Sequence, residues 1–326
     1  MIQDGKSSFV DHIPGVNGTA YQTTELRFDH QATEVSMIAQ MRRLIINPVL
    51  LSGSLLVASG LFHLLALYVT GSDWSGPVSF RKPGLFGVSA GLTIWSIAWV
   101  LSQLRPYRND RTFACIMAGS LFLEVSLITM QFWRGVPSHF NRATAFDAVN
   151  ESMMFMLIMI TMAGIAWLVW RSSWILPMPE SRALAIRAGL WLLLISCGLG
   201  LMTAIGGELN IARNRSPEVW GIAGVLKYPH GAALHAIQVL PLLSGILERL
   251  RISNAVRLVG AAVYAHVLFL LHTIWQLVQG RSRFDVDIIG GATLMAAGIL
   301  CLLPVAAIII HGNLIRRFPE KIEKPG

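Results

Sequence analysis

Apolar residues gather in eight long runs, at about 47–70, 84–104, 112–134, 150–171, 184–206, 231–248, 256–279 and 288–311. A helix rises about 1.5 Å per residue, so crossing a hydrocarbon core about 30 Å thick takes roughly 20 apolar residues. Each run therefore predicts one transmembrane helix. Gly60, Gly91, Pro241 and Pro304 fall inside runs, and spanning helices tolerate both residue types. The ten-residue alternating segments of an outer-membrane barrel are missing. The pattern predicts an all-α polytopic bundle over residues 44–312, preceded by a polar cytoplasmic tail (1–43) and followed by a basic one (313–326).

Composition agrees. Hydrophobic residues make up 54% of the chain and charged residues 13%, against roughly a quarter charged in soluble domains. The first 41 residues lack an early apolar stretch, so they do not read as a cleavable signal peptide. Translation starting at Met37 or Met41 would leave Arg42 and Arg43 directly before the first span.

Cytoplasmic connections carry the excess of Lys and Arg. From Arg42 onward the N-terminal side of the bundle holds fifteen, among them Arg105, Arg108, Arg111, Arg171, Arg182, Arg249 and Arg251, against nine on the other side: Arg81, Lys82, Arg134, Arg142, Arg213, Arg215, Lys227, Arg281 and Arg283. Both termini are predicted cytoplasmic, in a bacterial inner membrane. The net charge of +8 sits at helix ends, where anionic headgroups lie, so the lipid bilayer is the expected partner and nucleic acid is not. Cys115, Cys197 and Cys301 fall within runs and have no CxxC spacing, which leaves neither a disulfide framework nor a zinc signature.

A shift of 145 residues lays Lys82 on Lys227, Gln131 on Gln276, Gly135 on Gly280 and Arg171 on Arg316, and carries spans two to four onto six to eight. Parallel duplication of a four-helix unit, with halves at 44–171 and 184–312, would produce this register. Eight unrelated helices are the alternative.

Ionisable or strongly polar side chains inside a span are costly unless paired or facing a cavity. Glu124 lies ten residues from the outer end of the third run, roughly 15 Å deep. Gln131 follows at i+7 on the same face. Glu124 and Gln131, with His139 in the following loop, are candidate catalytic groups forming a proton path; a protonated Glu124 bonded across a helix contact is the structural alternative. His272, Gln276 and Gln279 share a face of span seven, and His235 and Gln238 share one in span six, with His230 at its outer end. His63 lies at a similar depth in span one. Imidazole ligates haem iron, copper and other transition metals, often handing its second N–H to an oxygen acceptor. His63, His235 and His272 are therefore candidate ligands for haem b, copper or another metal, with Gln238 and Gln276 behind them. Packing histidines are the alternative, and His266 points away.

The loop from Arg134 to Ser152, "RGVPSHFNRATAFDAVNES", is unusually polar. Asp147 is a candidate N-cap for span four, with Asn150 and Glu151 in its first turn. Arg134, Ser138, His139, Asn141 and Arg142 are not explained by capping and predict a rim around an outward-facing pocket. Arg81 and Lys82 stand on the outer side against the charge rule, so they call for outer phosphates, an anionic ligand or a carboxylate such as Glu208. The segment 207–230 is the longest outer connection and a candidate lid.

The stretches "GSDWSGPVSFRKPGLFG", "QFWRGVPSHFN" with "FDA", and "YPHGAALHAIQVLPLL" resemble a family of uncharacterised bacterial multi-spanning membrane proteins over roughly residues 47–280. The resemblance implies no activity. It implies that Trp74, Pro77, Arg81, Lys82, Pro83, Arg134, Gly135, Ser138, His139, Asn141, Asp147, His230, His235 and Gln238 occupy motif positions. Three functions follow as expectations: a haem- or metal-dependent membrane redox protein, a transporter or receptor for a small polar or anionic solute, or a non-catalytic subunit or scaffold. Phosphate-binding loops and serine-triad motifs are absent.

Overall fold

The computed structural model describes residues 48–174 and 176–317. The tail 1–43, the alternative starts at Met37 and Met41, and most of the basic tail 313–326 lie outside the described residues. Eight helical segments are long and apolar enough to cross a membrane, and the fold is an all-α helical bundle. The helices are α1 (Pro48–Thr70), α2 (Arg81–Gln103), α3 (Asp110–Trp133), α4 (Ala145–Ser172), α5 (Glu180–Ala212), α6 (Lys227–Leu234), α7 (Ala236–Arg249), α8 (Ala255–Val278) and α9 (Ile288–Arg317). Helices α6 and α7 together form the sixth span.

Several helices extend past the limits of their apolar runs, and one span is broken. Helix α2 begins at Arg81, so Arg81 and Lys82 form its first turn rather than a loop. Helix α5 continues to Ala212, because a helix need not stop where its apolar run does. This shortens the candidate lid to residues 213–226. That segment contains a two-residue hairpin, β1 (Val219–Trp220) with β2 (Gly224–Val225), held to the end of α8 by Ala223 N–H donating to Gly280 O at 2.9 Å. The sixth span breaks at His235 (φ −93°, ψ 3°), a turn and a half before Pro241. Proline lacks the N–H that would bond the carbonyl four residues back, and it crowds that carbonyl, which loosens the preceding turn.

Helix α1 lies against α2 through facing glycines. A Cβ on Gly87 would stand 2.8 Å from Gly60 Cα and 2.8 Å from Leu56 O, so backbone meets backbone there. Small residues permit this approach between membrane helices. Helices α3 and α4 follow in sequence along the bundle, α4 meets α5, and α5 packs on α6, α7 and α8. Leu192, Leu240, Leu247, Val259 and Leu270 form a buried cluster in the second half.

The 145-residue shift also aligns helix ends. It carries the ends of α3, Asp110 and Trp133, onto those of α8, Ala255 and Val278. Both helices stop in the same way: Gly135 (φ 72°) and Gly280 (φ 63°) adopt the left-handed conformation. Val136 N–H then donates to Gln131 O and Arg281 N–H to Gln276 O, at 3.2 and 3.0 Å. These are matching glycine-terminated helix ends. The same shift carries Thr93 onto Gln238, and these two side chains are themselves hydrogen-bonded at 3.4 Å where α2 meets α7.

Candidate functional site

The polar loop after α3 is held by bonds within itself and to neighbouring helices. Arg134 pairs with Asp147 at 2.6 Å and donates to Gln131 Oε1, while Gln131 Nε2 donates to Asp147 at 2.9 Å. The N-cap of α4 is Thr144, whose hydroxyl accepts from Asp147 N–H and donates to the Asp147 carboxylate at 2.7 Å. Asp147 is thus not the cap: it sits three residues inside the helix, in the reciprocal position of a capping box. Arg142 bridges Glu151 and Glu208 at 2.7 and 2.9 Å. Asn141 closes its own turn through Pro137 O and Ala143 N–H. Much of the predicted rim is therefore internal scaffolding of the loop.

A smaller group remains beside it. Lys82 lies within Coulombic reach of Arg81, Lys227 and Glu218, and His139 within reach of Lys82. Among the described residues the Lys82 ammonium has neither a hydrogen bond nor an ion pair, and the buried Arg81 Nε has no partner. Lys227 pairs with Glu218 at 2.9 Å, with side chains 36% and 57% exposed. An ion pair this open to solvent contributes about 0–1 kcal/mol, so an arriving anion can displace it. The carboxylate answering Lys82 is Glu218, not Glu208, which Arg142 engages. Burial tends to raise the Glu218 pKa, but Lys227, Arg81 and Lys82 outweigh it and hold the carboxyl below its usual range. His139 is bonded to Ser138 Oγ at 3.0 Å; burial, and then the Lys82 charge, push its imidazole down to about 3. His139 is neutral at physiological pH, and Ser138 is buried.

Arg81 and Lys82 occupy the first turn of α2, and Lys227 opens α6. Helix N-termini carry the positive end of the macrodipole; at α2 the first N–H groups are already engaged, Arg81 by Ser79 Oγ and Lys82 by Ser79 O, so that end contributes field rather than free donors. Three cations therefore lie within Coulombic reach of one carboxylate, Lys227 in contact with it, and this group can hold a small anion. Lys82 and Lys227 are equivalent under the 145-residue shift. Sequence reasoning found Lys82 but missed Lys227 and Glu218 as its neighbours; the shift was the available signal for Lys227.

Comparison with protein-family models, curated proteins and solved structures finds no match.

The three candidate histidines do not assemble. His63 lies among Phe62, Phe80, Phe132 and Trp133. Its Nδ1 bonds Ser59 O at 2.7 Å and its Nε2 accepts from the Trp133 indole at 3.2 Å, so both ring nitrogens are engaged. His272 lies in α8, bonded through Nδ1 to Gly290 O at 3.0 Å and stacked on Phe269. His235 is exposed at the α6–α7 break. Among the described residues, no group of three His, Cys, Asp or Glu side chains could hold a metal. Similar depth fixed one coordinate; the direction each helix face points placed the rings apart. His230 bonds Ser196 O at 2.7 Å, and His266 bonds Ala262 O. Gln276 donates to Asp285 O at 3.0 Å. The Oε1 atoms of Gln238 and Gln276 are buried without a partner.

Proposed function

We propose that this multi-pass membrane protein binds a small anionic solute, of carboxylate or phosphate type, at the cluster of Arg81, Lys82 and Lys227, and acts as its transporter or receptor. The observation that carries the reading is the Lys82 ammonium, in a group of three cations whose only nearby carboxylate among the described residues is the solvent-open Glu218. The two halves are read as copies of one four-helix unit, with the anion held close to where they meet.

Thermal-shift titration of detergent-purified protein with phosphate, a dicarboxylate and chloride tests this. At least one anion is expected to stabilise the protein saturably. A charge-assisted hydrogen bond contributes about 1.5–3 kcal/mol, so Lys82→Gln should weaken binding by roughly 10- to 150-fold. Glu218→Gln removes the competing carboxylate and should tighten it. Binding that is untouched by Lys82→Gln, or no stabilisation by any of the three anions, overturns the proposal.

We further propose a bacterial cytoplasmic membrane with both termini inside, on the charge bias and the family resemblance. Reporter fusions after Arg108 and Arg251 should then report cytoplasm, and those after Asn141 and Arg215 the outer side. Reversed signals at the latter two would place the anion site on the cytoplasmic face instead.

A further inference from the structure

Glu124 stands near the middle of α3, nine residues before Trp133, or roughly 14 Å along the helix. It is 6% exposed. Among the described residues, its carboxyl takes part in no hydrogen bond and no ion pair, and its oxygens are not among the fully buried, unpartnered polar atoms, so the carboxyl keeps a small opening through which a proton can reach it. The side chains stacked with it along α3 are apolar and sealed, with Met117, Leu121, Val125 and Ile128 all buried.

Its electrostatic surroundings are equally bare. On α2 the ionisable residues are Arg81 and Lys82, at one end. On α4 they are Asp147 and Glu151 at one end and Arg171 at the other. Helix α5 contributes the half-buried thiol of Cys197, within Coulombic reach of Glu124; its charged residues Glu180, Arg182, Arg187 and Glu208 lie toward its ends. No cation faces Glu124 at its own depth among the described residues. A carboxylate without a counter-charge in a low-dielectric interior is expensive, and taking up a proton removes the charge. A metal cation would instead require several oxygen donors, and no three-residue group of suitable ligands is present among the described residues. A proton needs only the carboxyl. Two turns along the same face, buried Gln131 joins Arg134 and Asp147 at the loop end of the helix, which marks the direction of the nearest polar surface.

We propose that Glu124 is a proton-binding site in the middle of the membrane, cycling between carboxyl and carboxylate, and that its proton accompanies the anion taken at Lys82. The reaction is complete in itself: the carboxylate accepts one proton from water at one face and returns it at the other. A proton moving with an anion lowers the net charge carried across the bilayer. The coupling rests on the anion-binding reading; the protonation of Glu124 does not.

Dicyclohexylcarbodiimide distinguishes the two parts. This apolar reagent enters membranes and adds across the O–H of a protonated carboxyl; the adduct then rearranges to a stable N-acylurea. The full chain, in mild detergent, is treated at a series of pH values and the adduct is located by peptide mass spectrometry. Glu124 should be modified, with a yield at about pH 5 at least ~10-fold above that at about pH 9, because only the protonated form reacts. Glu124→Gln should abolish that adduct and Glu124→Asp should retain it. No adduct on Glu124 in the wild-type chain, or a yield flat across the range, overturns the proton site, and the wild-type measurement stands even if a variant fails to fold. Saturating inorganic phosphate should shift the pH midpoint of labelling. Labelling that titrates but ignores phosphate, in protein that binds phosphate, overturns the coupling. Failure of phosphate, dicarboxylate and chloride alike to bind removes the reading on which the coupling rests, while the pH-dependent adduct still decides the proton site.

Discussion

Replacing Asp110 with alanine is expected to lower the stability of the detergent-solubilised protein by about 3–5 kcal/mol, the usual consequence of leaving one charge of a buried pair alone. Asp110 and Arg171 form an ion pair with side chains 9% and 10% exposed. The Asp110 carboxylate also accepts from Tyr107 N–H at 2.9 Å. The Arg171 guanidinium bonds Arg105 O and lies over the Trp167 ring at 4.6 Å. One pair thus ties the start of α3, the end of α4 and the α2–α3 loop together. Without Asp110 the guanidinium keeps one carbonyl and an aromatic face but loses its counter-charge, and Tyr107 N–H loses its acceptor. Unfolding monitored against SDS or temperature gives the measurement. Arg171→Lys should fall between, since an ammonium cannot reproduce the planar fork. A loss below about 1 kcal/mol for Asp110→Ala would mean that the pair behaves as a solvent-screened surface contact.

The other large effect belongs to Gly87. Its Cβ would meet the Gly60 backbone at 2.8 Å, and no flexible side chain can move aside there. Gly87→Val must push α1 and α2 apart along a contact that also includes Gly53, Gly84 and Gly91. It would also strain the bond from Trp95 Nε1 to Leu50 O, now 3.3 Å. Overpacking usually costs about 1–3 kcal/mol; a backbone-to-backbone clash should reach or exceed the top of that range. The expected outcome is poor accumulation in the membrane and a large fall in thermal stability. Gly119→Ala is the control, because a Cβ there meets nothing within 4 Å. Equal behaviour of the two variants would refute the close crossing.

These contacts separate what could be read along the chain from what could not. Hydropathy located all eight spans, because the bilayer imposes one length and one solvent on every crossing. The 145-residue register anticipated that α3 and α8 would share their limits, since matching glycines end both helices. Where polar and apolar residues lie along one helix was also legible, which is why Glu124 and Gln131 stand out from the sequence.

Relations between helices were not legible. His63, His235 and His272 have similar depths, yet depth leaves rotation about each axis and the arrangement of the helices undetermined, and these put the rings in different places. Asp147 has the right chemistry for an N-cap, but the chain turns at Thr144, three residues earlier. The α6–α7 break falls where the loosening before Pro241 meets local packing. Lys82 needed a carboxylate, and composition could not choose between Glu208 and Glu218: Arg142 takes the first, and the hairpin after α5 brings the second. The sequence by itself determined the number of spans, their limits to within about six residues and which positions carry polarity, because the bilayer acts on each segment separately. The tertiary structure alone decided which polar groups satisfy one another and which, like Lys82 and Glu124, have no bonded partner among the described residues, because pairing depends on distances between helices that no single segment encodes.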